Sequence, residues 1–215
     1  MRRIAFFGGT FDPVHIGHLT IAERLLEMFG LDEFVFIPAF HAPHKPDRPP
    51  TSAFHRYAML CLATADNERI MVSPIEVEKG EKRYTIDTLA ELRERFPDDE
   101  IFFVMGADSW TDIRTWREWE KVLTSSNHIV VSRPGYELST GHVGQEIAKR
   151  IVDLRGCDDT RDRLQKGEHI YLTDAVEMDV SATDLRSDLS DGTLDHPDSL
   201  PPKVAKYVEK YDLYM

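Results

Sequence analysis

Residues 4 to 18 read Ile4-Ala5-Phe6-Phe7-Gly8-Gly9-Thr10-Phe11-Asp12-Pro13-Val14-His15-Ile16-Gly17-His18. Ile4–Phe7 is apolar without interruption, the pattern of a strand buried on both faces, and Gly8-Gly9 ends it. Beyond the glycines, Leu19, Ala22, Leu25, Leu26 and Phe29 recur at the three-and-four spacing of an amphipathic helix, which Gly30 stops. A buried strand, a glycine-rich turn and a helix that opens on two histidines form the first unit of the fold.

The same alternation continues along the chain. Phe34–Ile37 predicts a second strand closed by Pro38. A proline-rich basic loop runs to Pro50, and a helix follows from about Ser52 to Ala65. Ile70–Val77 reads as a third strand. Thr85 opens a helix that turns Ile86, Leu89, Ala90 and Phe96 inward and stops at Pro97. Ile101–Met105 is a strand followed by Gly106, and Thr115 with Glu118 has the capping-box spacing for a helix through Leu123. Ile129–Val131 predicts a strand ended by Arg133-Pro134-Gly135. A polar helix is expected near His142–Leu154 and a strand over His169–Leu172. Ser181 and Asp184 form a second capping-box pair, and Pro201-Pro202 starts a final helix.

This pattern predicts an α/β fold: a doubly wound parallel sheet in three α/β/α layers, one domain over residues 1–215. The polar stretches 156–166 and 190–198 read as surface loops. In such sheets ligands bind at the C-terminal ends of the strands, where the chain reverses direction. Every motif taken up below follows a strand.

Composition narrows the function. Of 215 residues, 41% are apolar and 30% charged, the balance of a soluble globular protein. No apolar run approaches the roughly 18–20 residues of a membrane helix. The first apolar stretch is also too short for a signal peptide. Cys61 and Cys157 are far apart and lack metal-ligand spacing, which fits a reducing cytoplasm. The net charge of −12 argues against general nucleic-acid or anionic-membrane binding, so an anionic ligand needs a local positive pocket. From His41 to Arg56 the chain carries His41, His44, Lys45, Arg48, His55 and Arg56 against one acid, Asp47. A homo-oligomer stays open.

The first turn carries the sharpest chemical signal. Gly8-Gly9 lets a ligand come close to the backbone. His15 and His18 bracket Gly17 at the start of a helix, where amides and the helix dipole favour phosphate. The Gly-x-Gly-x-x-Gly spacing of a dinucleotide site is missing, and so is the Gly-Lys pair of a Walker loop. Two bland readings compete: the histidines as surface or capping residues, and Ser181 with Thr183 as an N-cap and its neighbour. Trp110 and Trp119 read as packing.

The string GGTFDPVHIGH resembles the His-x-Gly-His signature of the nucleotidylyltransferases, shared in spirit with class I aminoacyl-tRNA synthetases. The synthetase reading fails on size and on the missing Lys-Met-Ser-Lys-Ser-like segment. Val180-Ser181-Ala182-Thr183-Asp184-Leu185-Arg186 resembles the family's Ile-Ser-Ser-Thr-x-Ile-Arg motif, departing at Ala182, where a second serine is common. Pro43-His44-Lys45, Tyr84-Thr85-Ile86-Asp87-Thr88, Gly106-Ala107-Asp108, Trp116 and Arg133-Pro134-Gly135 extend the likeness to the bacterial nicotinate-nucleotide adenylyltransferases. That family joins nicotinate mononucleotide to ATP with Mg²⁺ held through the phosphates.

The resemblance implies roles. His15 and His18 are the expected catalytic pair. Gly8, Gly9, Thr10, Phe11, Gly17, His18, Gly106, Asp108, Ser181, Thr183 and Arg186 are expected to bind ATP, and Lys45, Thr85, Trp116 and Arg133 the second substrate. The physics agrees: the attacking phosphate oxygen is already ionised, so the site must align reactants and stabilise charge, with no general base. A nicotinamide-mononucleotide or pantetheine-phosphate transferase is the nearest alternative. A metal hydrolase using His15-x-x-His18 and His41-x-x-His44 is a more distant one, since no carboxylate-bearing helix motif accompanies the pairs. A non-catalytic nucleotide sensor would be expected to have lost its histidines.

Overall fold

A computed structural model of the chain describes residues 1–41, 49–132, 138–174, 180–192 and 199–215. Among the described residues, seven strands form one sheet in the order β3-β2-β1-β4-β5-β7-β6. They are β1 (Arg3–Gly9), β2 (Glu33–Pro38), β3 (Ile70–Val72), β4 (Glu100–Gly106), β5 (Asn127–Val131), β6 (Ile151–Asp153) and β7 (Ile170–Thr173). Every pairing is parallel. The helices are α1 (Ile16–Met28), α2 (Ala53–Thr64), α3 (Thr85–Arg95), α4 (Ala107–Thr111), α5 (Trp119–Thr124), α6 (Gln145–Ala148), α7 (Ala182–Asp191) and α8 (Pro202–Lys210).

The central strands alternate between two cores, because successive side chains point to opposite faces. Ala5, Phe7, Phe34, Phe36, Phe102 and Val104 face one core, with Leu25 and Leu26 of α1, Met59 and Leu60 of α2, and Val204 and Val208 of α8. Ile4, Phe6, Val35, Ile37, Phe103 and Met105 face the other, with Leu89 and Leu92 of α3, Trp110 of α4, Val122 and Leu123 of α5, and Ile147 of α6. Both faces being covered explains why these strands read as continuous apolar runs. The three layers are those expected. The chain lays β2 and β3 on one side of β1, then crosses to β4 on the other. The switch point therefore lies between β1 and β4.

Three local expectations change. The third strand stops at Val72, because Pro74 has no amide to give a ladder. Ile75 and Val77 are buried from a turn instead, with Glu78 donating to the Pro74 carbonyl. The helix expected over 142–154 is cut to Gln145–Ala148, and Ile151–Asp153 joins β7 as a seventh strand. The β-branched pair Ile151-Val152 suits that edge better than a helix. The helix expected from Thr115 begins at Trp119. Glu118 takes a left-handed conformation (φ 51°) and Thr115 Oγ1 donates to the Asp112 carbonyl at 2.7 Å, so no capping box forms.

The loop 156–166 holds a short 3-10 turn, Arg161–Arg163, and is tied down by buried Thr160, whose hydroxyl reaches the Met28 carbonyl at 2.9 Å. Of the loop expected over 190–198, the first residues finish α7, and 193–198 lie outside the described residues. Among the described residues no helix is long and apolar enough to cross a membrane.

Candidate active site

β1 ends on Gly8 and Gly9 beside Ile37 and Pro38 of β2, and pairs Phe7 with Val104 of β4. Gly106 lies two residues beyond Val104, so Gly9 and Gly106 flank the mouth of the switch point. There is little room for side chains here, and a Cβ on Gly106 would come within 2.8 Å of Asp108 Oδ1. A Cβ on Gly9 would come within 2.7 Å of the Phe11 ring, and one on Gly17 within 3.1 Å of His15 Nδ1. Phe11 occupies that space with φ 50°, folding the chain back so that Asp12, Pro13 and Val14 are buried beneath the start of α1.

His15 is the N-cap of α1, and His18 is in its first turn. The rings stack with centroids 3.7 Å apart, and His18 Nδ1 accepts the His15 backbone N–H at 3.2 Å. That bond leaves the ring proton of His18 on Nε2, where it can donate to an anion. His15 is 7% exposed, whereas His18 is half-buried and lies edge-on to Phe11 at 5.0 Å. Thr10 gives its carbonyl to Arg56 at 2.6 Å.

α7 brings its N-terminus to the same place. Ser181 is its N-cap, its hydroxyl accepting from the amides of Thr183 at 3.2 Å and Asp184 at 3.5 Å. Arg186 donates to the Asp12 carbonyl at 2.6 Å and to Thr183 Oγ1 at 3.1 Å. A Cβ on Gly17 would also lie 3.7 Å from Val180 Cβ, which shows how closely α7 approaches α1. Two motifs more than 160 residues apart in sequence thus share one end of the sheet. Asp108, exposed, stands in the first turn of α4 just past Gly106.

Thr85 and Trp116 lie on the other face of the sheet. Thr85 is the first residue of α3 and Tyr84 is its cap. Trp116 follows the 3-10 turn Ile113–Thr115 in extended conformation and packs partly on the second core, so it does not start a helix. Arg117 joins the two segments: its guanidinium is 5.0 Å from the Tyr84 ring centre and 4.0 Å from Asp87. Lys82 also lies 5.1 Å from the Tyr84 ring. Behind α3, Thr88 donates to Glu76 at 2.8 Å, and burial pushes the Glu76 carboxyl above its ordinary range. Lys45, Arg133 and the motifs Pro43-His44-Lys45 and Arg133-Pro134-Gly135 lie outside the described residues.

Sequence reasoning missed Arg56. Grouped with the basic loop, it is in fact fully buried, donating to the carbonyls of Thr51 at 2.8 Å, Thr10 at 2.6 Å and Ala39 at 2.6 Å. One guanidinium therefore ties the β1–α1 turn to the chain leaving β2. Burial lowers its pKa, opposed by the nearby charge of Asp12. A signal was available: Ala53, Arg56, Met59 and Leu60 fall on one helical stripe, so the arginine stood at a core position.

Among the described residues, no group of three or more His, Cys, Asp or Glu side chains is arranged to hold a metal ion. The site is lined by the N-terminal ends of α1 and α7, two imidazoles and an arginine. Such a set suits a phosphate chain that brings its own cation.

The chain is similar to known proteins over nearly its whole length. The cytidylyltransferase-like family model matches residues 6–188. A probable nicotinate-nucleotide adenylyltransferase of Citrifermentans bemidjiense is 39% identical over 99% of this chain and 98% of its own length. One of Corynebacterium jeikeium is 34% identical over 97% and 98%. Among solved structures, Plasmodium falciparum nicotinic acid mononucleotide adenylyltransferase complexed with NaAD superposes with a TM-score of 0.73. It is 19% identical and covers 100% of this chain and 98% of that one, so it speaks for the fold. With the switch-point glycines, the paired histidines and the α7 motif inside the matched span, the chain belongs to the cytidylyltransferase-like family.

Proposed function

We propose that this chain transfers the adenylyl group of ATP to nicotinate mononucleotide, giving nicotinate adenine dinucleotide and pyrophosphate. The observation that carries this reading is full-length similarity to relatives of that name, in a chain whose paired histidines and α7 N-terminus converge at the switch point. A phosphate oxygen of the mononucleotide attacks the α-phosphorus of ATP, the bond to the β-phosphate oxygen breaks, and pyrophosphate leaves with its electron pair. No proton has to be taken from the nucleophile.

The residues then divide the work. Gly8, Gly9, Thr10, Phe11 and Gly17 shape the turn that admits the nucleotide, and Gly106 and Asp108 border it from β4. His15 and His18 stabilise charge on the transferring phosphate. Ser181, Thr183 and Arg186 hold the phosphate chain at the start of α7. Lys45 and Arg133 contribute positive charge, and Thr85 and Trp116 hold the pyridine ring and its carboxylate. ATP enters as its Mg²⁺ complex, the cation neutralising phosphate charge. The chain works as a single domain in the cytoplasm, where its substrates and two reduced cysteines belong.

The test is direct. Purified protein is given ATP and Mg²⁺ with nicotinate mononucleotide, nicotinamide mononucleotide or phosphopantetheine, and pyrophosphate release is followed. Release with the first acceptor well ahead of the others is expected. Release only with phosphopantetheine would overturn the substrate, and no release with any acceptor would overturn the reaction.

A further inference from the structure

Asp12 stands in the turn between β1 and α1 and is 7% exposed. Three other segments of the chain meet on it. Tyr214, which follows α8, donates its hydroxyl to Asp12 Oδ1 at 2.7 Å. The Thr51 amide, just before α2, reaches Oδ2 at 3.3 Å, and Arg186 of α7 takes the backbone carbonyl at 2.6 Å. Arg56 stands behind, bonded to the carbonyls of Thr10 and Thr51. The nearby Asp12 charge opposes the lowering of the Arg56 pKa by burial.

The backbone on both sides of the Tyr214–Asp12 bond is constrained. Phe11, next to Asp12, has φ 50°, and Tyr214 has φ 70°. Left-handed conformations are unfavourable for bulky side chains and persist only where the surroundings impose them. Both rings are buried, at 4% and 7% exposure. Burial and the adjacent carboxylate push the phenol far above its ordinary range, so it stays a donor at any working pH.

We propose that Tyr214 is a positioning residue for the transfer: through Asp12 it fixes the Phe11–His15 turn, and with it the two imidazoles at the start of α1. Tyr214 touches no reactant in this scheme. It acts because Asp12 is three residues from His15, and the turn between them has no regular secondary structure to hold it. When catalysis rests on alignment, misplacement by about an ångström costs on the order of a hundredfold in rate. The kinetic part of the proposal rests on the adenylyl-transfer reading above; the structural part does not.

Tyr214→Phe removes one oxygen and keeps the ring. It is expected to lower kcat by roughly tenfold to a hundredfold, with apparent KM for ATP and the mononucleotide changed by no more than about twofold. Asp12→Ala should lower kcat at least as much, and the double variant should be no worse than Asp12→Ala alone, because both cut one connection. Asp12→Asn keeps an acceptor for the phenol and should recover part of the loss. A purely structural tyrosine would lower the melting temperature and leave kcat of the folded protein intact.

Amide hydrogen exchange over residues 11–18 gives a readout without turnover. It should quicken by about tenfold or more in Tyr214→Phe and Asp12→Ala alike. Full kcat in folded Tyr214→Phe, losses that multiply in the double variant, or unchanged exchange over 11–18 would each overturn the proposal. Absence of pyrophosphate release in the wild-type protein would instead strike the reaction, leaving the exchange experiment to decide the role of Tyr214.

Discussion

The imidazole of His18 lies against that of His15, centroids 3.7 Å apart and planes 31° from parallel, while its Nδ1 holds the His15 backbone N–H at 3.2 Å. One nitrogen of His18 is thus committed to the helix start, and the other carries the proton. Ring orientation is set by the backbone it caps, so little reorganisation is left for the moment of reaction.

Replacing His18 by alanine removes that oriented donor. Loss of one donor to a developing charge lowers turnover by about 10²–10³, whereas ground-state binding of ATP keeps its other contacts. The expected outcome is a fall in kcat of that order with a much smaller change in the Kd for ATP, measured by single-turnover kinetics and equilibrium binding. Near-normal turnover would remove His18 from the proposed catalytic pair.

Arg56 bears on stability. Its guanidinium fills four carbonyls from two loops, those of Thr51, Thr10, Ala39 and Phe40, and lysine has neither the fork nor the reach to replace it. Breaking a buried charged network of this kind costs about 3–5 kcal/mol. In a chain of this size that corresponds to a fall in melting temperature of roughly 10 °C. Arg56→Lys should show most of this loss in a thermal scan, and Arg56→Met at least as much, since it leaves the carbonyls with no donor at all. A shift of a degree or two in both variants would mean that the carbonyls find water instead.

How far the sequence discloses this structure depends on the range of the interaction. Phe34–Ile37 and Ile101–Met105 are legible because burial on both faces leaves an unbroken apolar run. Gly8-Gly9 and Ser181 are legible because each does its work within a few residues. Ile151–Asp153 is misread as helix because its strand character comes from lying beside β7, a partner 19 residues away at Ile170. Arg56 is misassigned because four carbonyls, invisible in a sequence, turn a cation inward. The contact of Tyr214 with Asp12 spans 202 positions and leaves no local trace at either end.

His128 sets an acid limit on stability. It is fully buried on β5, its Nδ1 3.0 Å from the Ser126 carbonyl, and the Phe103 ring lies 6.0 Å away. Its Nε2 has no hydrogen-bond partner among the described residues. Burial, with a smaller contribution from the Arg150 charge, lowers its pKa from 6.5 to about 4. The unfolded chain therefore binds this proton first. The stabilisation is complete above pH 6.5 and is lost as pH falls towards 4, by about 3 kcal/mol in all. Arg161 holds the Asp159 carboxyl down at about 2, so its own loss comes at lower pH. Urea unfolding from pH 7 to 4 should show this decline, and His128→Leu should flatten it whatever its effect on stability at pH 7. An unchanged slope in the variant would assign the decline to carboxylates.

Selectivity for the acid over the amide is the most exposed consequence of the substrate reading. Nicotinate carries a carboxylate where nicotinamide carries a carboxamide, so its pocket must offer donors and positive charge. Thr85 is the first residue of α3, where the Asp87 and Thr88 amides close on the Tyr84 carbonyl at 2.9 and 3.2 Å and the amides of Thr85 and Ile86 lie ahead of them at the helix start. Lys82 and Arg117 add two cations around Tyr84 at the same helix start. Trp116, next to Arg117, can stack on the pyridine ring and fix its plane. A carboxamide there turns its own N–H₂ towards backbone N–H groups, and each unmade bond costs roughly 1–3 kcal/mol, about tenfold to a hundredfold in kcat/KM. The wild-type protein should therefore prefer nicotinate mononucleotide strongly. Thr85→Val should erode the preference by removing a hydroxyl while sparing the amide, and Trp116→Ala should depress kcat/KM for both mononucleotides together. Equal efficiency on acid and amide in the wild-type protein would reject the nicotinate pocket while leaving the proposed adenylyl transfer standing.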